Sequence, residues 1–117
     1  MTPTPPAPSD DHVNEVHLVG RVSAAPEERV MPSGDVLWTF RLVVGRPVEA
    51  STRNRVDTID CAAWTGRTRQ SVSRWSVGDV VEVHGRLRRR FYPAGASSAS
   101  RVEIEVERTR LRRRART

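Results

Sequence analysis

Four residues of one stretch share a direction and a chemistry. Arg86, Arg88, Arg90 and Tyr92 occupy alternate positions near the end of a strand-like segment. Alternate side chains of an extended strand leave the same face, roughly 7 Å apart. Phosphates of an extended polynucleotide repeat at a similar spacing. Guanidinium groups meet phosphate, and a ring at the end of the row offers a stacking surface worth about 1–3 kcal/mol per base. The alternative is a charged edge strand that only resists aggregation. The length of the row, its one-sidedness and its Phe91-Tyr92 ending favour a polyanion contact.

Other residues could join that face. Trp64 shares a strand phase with Thr58 and Asp60, so its indole either faces outward or sits partly buried in an interface. Arg41 lies out of phase with Trp38, Phe40 and Leu42, which pattern as core, and could reach a phosphate. Arg21 lies on the outward phase of the first strand. Trp75 is expected to plug the barrel end, and Cys61, in phase with Ile59 and Ala63, to lie in the core. His17 and His84 fall on outward phases and receive no role. Glu103, Glu105 and Glu107 pattern as a solvated strand face.

Catalytic constellations are not found. The sequence has neither a Walker-type phosphate loop nor a dinucleotide glycine fingerprint. Its three histidines are not grouped with Cys61 at metal-ligand spacing. No enzyme, metal or cofactor is expected.

Composition sharpens the picture. The chain has 117 residues, the size of one small domain, and a formal charge of +6. All 20 basic residues are arginine, and six of them fall in residues 108–117, which hold no acid. The preceding 107 residues therefore carry fourteen arginines against fourteen acids. A polyanion site must come from local patterning plus this tail, read as a solvated charge run. A single cysteine forbids an internal disulfide and suits a reducing cytoplasm. No apolar run approaches the roughly 20 residues of a membrane span, and the N-terminus lacks a secretory pattern.

The elements that must position these residues follow from alternation. Residues 1–11, with four prolines, read as a disordered arm. Two-residue alternation starts at Val13 and is expected to stop at Ala25-Pro26. Met31-Pro-Ser-Gly34 reads as a turn, Asp35 to Val44 as a second strand, and Gly45 to Asn54 as a loop. Val56 to Thr65 forms a third strand and Arg67 to Trp75 a short helix. Val80 to Tyr92 is the fourth strand, Pro93 to Ser100 a loop tip, and a final strand around Val102 to Val106 precedes the basic tail. The reading is all-β: a five-stranded Greek-key barrel of the oligonucleotide-binding (OB) fold, with one helix between strands 3 and 4, spanning residues 12–109, with residues 110–117 as tail.

With the strands placed, the sequence resembles the bacterial single-stranded DNA-binding protein family. The matching pieces are Asn14-Glu-Val-His-Leu-Val-Gly-Arg21, Met31-Pro-Ser-Gly34, Cys61-Ala-Ala-Trp64 (in the form of actinobacterial members) and Val77-Gly-Asp-Val-Val-Glu-Val-His-Gly-Arg-Leu-Arg-Arg-Arg90. Together they cover about residues 13–109. The resemblance implies a cytoplasmic, nucleoid-associated homotetramer. It would bind single-stranded DNA without sequence preference in replication, recombination, repair or uptake. It also implies that Trp64 and Tyr92 stack bases and that Arg88 and Arg90 meet the backbone.

Departures stand beside the matches. Thr58 and Val48 replace two further stacking aromatics of the family, Asp60 replaces a usual arginine and Glu15 a usual lysine. The family's acidic, hydrophobic C-terminal tip has no counterpart among these residues, so recruitment of replication enzymes through it is not expected. A specialised paralogue fits that feature. Two other readings stay open: a protein-interaction barrel that modulates a full-length relative, and RNA binding by the same face.

Overall fold

The computed structural model describes residues 11–47, 55–94 and 97–116, with 92–94 and 97–98 as backbone. The predicted N-terminal arm, Val48 with its loop, and the Tyr92 side chain lie outside what is described. Five strands and one helix follow in the order β1 (Val16–Val30), β2 (Val36–Gly45), β3 (Val56–Ala63), α1 (Gly66–Val72), β4 (Val80–Ala94) and β5 (Ser97–Arg113). The strands close into a barrel in the order β1-β2-β3-β5-β4. All pairings are antiparallel except β3 with β5, which run parallel over Cys61↔Ile104 to Ala63↔Val106.

Alternation fills the interior. Val22, Phe40, Leu42, Cys61, Val81, Val83, Ile104 and Val106 are buried and form the core with Val72 and Trp75. Trp75 lies just past α1 and meets the Phe40 ring edge-on, with centroids 5.1 Å apart. Trp38 packs half-buried against this cluster. Gly85 is required by close approach, because a Cβ there would stand 2.0 Å from the Glu105 carbonyl oxygen. The helix starts at Thr65, whose hydroxyl accepts from the Thr68 N–H. Among the described residues, no helix is long and apolar enough to cross a membrane.

Several boundaries differ from the sequence expectation, among them the helix, which ends at Val72 and not at Trp75. β1 does not stop at Pro26 but runs to Val30, with register shifts between Val22 and Ala24 and between Ala24 and Glu27. Proline is tolerated at such irregularities because no ladder hydrogen bond is asked of it. Gly34 then turns the chain into β2 at φ +92°, its N–H donating to the Met31 carbonyl. Gly34→Ala has open space for its methyl. It should therefore cost only the backbone strain, about 1 kcal/mol, read as a shifted urea midpoint.

Within the expected loop tip at residues 93–100, residues 93–94 and 97–100 are instead paired strand, out to Ala94↔Ser97. β5 also continues past residue 109 to Arg113. Its arginine side chains are exposed, but its backbone is anchored. Leu111 packs against the core, and the buried Asp79 carboxylate accepts the N–H of Ser76 (2.9 Å) and of Ala115 (2.7 Å), with the Arg114 guanidinium 3.5 Å away. Burial acts to raise the Asp79 pKa, but the Ser76 and Ala115 donors and Arg114 outweigh it and hold the carboxyl below its ordinary 3.8. A lowered carboxyl pKa stabilises the fold above the unfolded value and ceases to as pH falls through the folded one. Asp79→Asn should therefore cost about 1 kcal/mol at neutral pH. The difference from wild type should vanish in acid, as pH-dependent urea melts would show.

Candidate nucleic-acid interface

The outward phase of β4 carries Glu82, His84, Arg86, Arg88 and Arg90. β4 is not an edge strand, since it pairs with β1 from Val80 to Gly85 and with β5 along its length. The β1 pairing stops at Gly85, however, so the arginine row lies where β4 has β5 on one side only, and the edge-protection reading stands beside the polyanion one. The row is not open. Each arginine meets a glutamate one step along the diagonal of β5: Arg86 with Glu107 at 3.0 Å, Arg88 with Glu105 at 2.9 Å, Arg90 with Glu103 at 2.6 Å.

Glu103 and Glu105 are therefore not the solvated face the sequence suggested, whereas Glu107 stays exposed. Register places Glu105 opposite Arg86 and Glu103 opposite Arg88, so the two rows interdigitate. Burial deepens along the ladder, with the glutamate side chains 51%, 21% and 8% exposed from Glu107 to Glu103.

The buried end of the ladder holds the aromatic. The Arg90 guanidinium carbon lies 4.4 Å from the centroid of the Trp64 ring, over its face. Trp64 is half-buried just beyond β3, and its indole N–H has no hydrogen-bond partner among the described residues. Arg90 is thus held by Glu103 in the ladder and by the ring, a cation–π contact worth about 0.5–2 kcal/mol.

Beside this end opens a groove of about 500 Å³, lined in part by Phe40, Arg41, Asp60, Arg90, Arg101 and Glu103. Arg41 faces Asp60 across the β2–β3 register and donates to it from Nε at 3.0 Å. Arg101 stands directly opposite Arg90, and Arg29 reaches the groove from β1. Neither was singled out from the sequence. Arg101 has the phase of Glu103 and Glu105, so phase alone could have marked it, but only register puts it across from Arg90. Arg21 lies elsewhere, exposed on β1 between Val43 and Val80, and does not line the groove.

The groove thus gathers Arg90, Arg41 and Arg101; Trp64 does not line it and joins the site only through Arg90, with Arg88 and Arg86 leading away along β4. Tyr92 continues the backbone row opposite Ala99, its side chain outside the described atoms. Cys61 lines the groove floor, but burial first, then the nearby Asp60 and Glu103 charges, push its thiol up to about 12, so it is no nucleophile at neutral pH. At the other end of the outer face, hydrogen bonds from His17 and then Arg112 hold the Glu82 carboxyl below its ordinary range.

Comparisons with known proteins agree with this architecture. The chain superposes on a chain of the Plasmodium falciparum SSB complex with ssDNA at a TM-score of 0.70 and 20% identity, covering 86% of this chain and 94% of that one. That likeness concerns the fold. Single-stranded DNA-binding protein A of Bacillus subtilis is 35% identical over 81 residues, 68% of this chain and 47% of its own length. Single-stranded DNA-binding protein 1 of Staphylococcus aureus is 36% identical over 81 residues, 68% of this chain and 48% of its own length. The protein from Halalkalibacterium halodurans reaches 33% over the same extent, 48% of its length. The chain spans about half the length of these curated relatives. Residues 13–112 match the Single-strand binding protein family, and the chain belongs to that family.

Proposed function

We propose that this barrel binds single-stranded DNA without sequence preference and without catalysis. The strand lies in the groove beside Trp64 and runs out along β4. The carrying observation is the Arg90 guanidinium stacked over Trp64 at 4.4 Å, beside a groove that also gathers Arg41 and Arg101. A π-face and convergent guanidinium groups suit a base with its phosphate. Arg90 and Arg101 stand directly opposite each other, an unfavourable like-charge pair that a phosphate between them would relieve. Arg86 and Arg88 extend the path, Tyr92 supplies a second stacking ring, and Arg21 meets backbone where the strand leaves over β1. Stacking accepts every base, so little sequence preference follows.

The relatives' names, which say that they bind single-stranded DNA, support this reading. The same kinship supports a homotetramer acting in the cytoplasm, at the nucleoid, in replication, recombination, repair or DNA uptake. The Cys61-Ala-Ala-Trp64 sequence suggests an actinobacterial-type member, although the relatives named here come from other lineages. Titration of tryptophan fluorescence with oligo-dT at low and high salt tests the function. Quenching together with gel retardation at low salt is expected, and the absence of both rejects the proposal. Light scattering of the same sample gives the subunit number.

The neutralised ladder favours a second reading, a protein-interaction barrel modulating a full-length relative. Every arginine of the β4 row, and Arg41 as well, already has a carboxylate. Mixed oligomers with a relative, together with no oligonucleotide binding, would decide for it.

A further inference from the structure

The outer face carries a second cluster, away from the Arg90 groove. We propose that His17, His84 and Glu82 form a binding site for one divalent transition-metal ion, with zinc as the fitting chemistry, tying β1 to β4. His17 and His84 are directly opposite in the β1–β4 register, and Glu82 precedes His84 by two residues on the same face. The Glu82 Oε2 lies 2.5 Å from His17 Nε2 and 3.6 Å from His84 Nε2. One donor atom from each residue lies within 4.8 Å of the others. A tetrahedral zinc at about 2.0–2.1 Å from its ligands holds them about 3.3 Å apart. Small side-chain rotations close that difference. The two imidazoles stack with centroids 4.1 Å apart and planes 7° from parallel. One ring must therefore turn before both in-plane lone pairs meet a single ion.

The surroundings suit an ion of this class. Two imidazoles and one carboxylate select zinc, copper or nickel over magnesium or calcium, which prefer oxygen alone. Arg112 donates to Glu82 Oε1 at 3.1 Å, leaving Oε2 turned to the histidines, the kind of outer contact that orients a ligand. The His17 and His84 side chains are 55% and 35% exposed in the single chain, which leaves an ion a route to them. The opposing term is charge. Arg110 and Arg108 face Glu82 and His84 across β5, and with Arg112 they repel a cation. That repulsion is screened by salt. Zinc affinity should hold or rise with a non-coordinating electrolyte, whereas polyanion binding falls.

The test is calorimetric titration of the chelator-treated full chain with zinc, with melting temperature read alongside. One zinc per chain and a raised melting temperature are expected. His17→Ala and His84→Ala should each lose affinity on the order of tenfold or more, while His12→Ala, at the third histidine, keeps it. Cobalt-induced shifts of the histidine ring resonances in the wild-type protein give a reading that needs no variant, and two of the three histidines should respond. Absence of binding, binding that survives both substitutions, or a response from His12 would each overturn the proposal.

Discussion

Trp64→Ala is expected to weaken oligo-dT binding by about 1–3 kcal/mol, roughly 5- to 150-fold in Kd, and to abolish most of the fluorescence quenching. Trp75 is buried against Phe40 and Trp38 is half-buried against the core, so neither offers a ring face to a base. Arg90 covers one face of Trp64, so an incoming base displaces the guanidinium or takes the other face. Trp64→Phe separates ring from size and should restore much of the affinity without the quenching signal. Full affinity in Trp64→Ala, with quenching intact, would move the contact to another part of the barrel.

The second large effect runs the other way. Changing Glu103, Glu105 and Glu107 together to Gln should tighten binding at low salt and steepen its salt dependence. The three arginines would keep similar hydrogen-bonding partners in β5 but lose the opposing charge. Each guanidinium released to a phosphate adds about 0.7 to the slope of log K against log salt for a single strand, so three add about 2. Between about 50 and 200 mM salt the variant should lose roughly twentyfold more affinity than the wild type. An unchanged slope would mean that the β4 arginines do not meet the backbone. A circular dichroism melt checks that Glu103, the buried member, has not disturbed the hairpin.

Much of the barrel was legible because the period of two is imposed by burial. Val81 and Val83 are fully buried and Ile104 and Val106 nearly so, while their neighbours Glu82 and Glu105 face out. What alternation cannot carry is register. The interlocking of Arg86, Arg88 and Arg90 with Glu107, Glu105 and Glu103 depends on how two strands slide past one another. That slide is set partly by the irregularity between His84 and Gly85. Phase also loses meaning at a strand's end, so alternation does not decide where Trp64, just beyond β3, points; its contact with Arg90 does. The C-terminal arginines looked like tail because their charge hides Leu111. Asp79, which fixes the end of β5, is remote in sequence and gives no local signal.

The parallel seam between β3 and β5 has a mechanical meaning. It is three residue pairs long, Cys61↔Ile104 to Ala63↔Val106, and joins segments separated by the helix and all of β4. Such a short stave is where the cask would spring first. Cys61 lies in both the stave and the groove floor, and Glu103 adjoins Ile104. A polymer seated there would act as a hoop around the wood, so occupancy and resistance to opening should rise together.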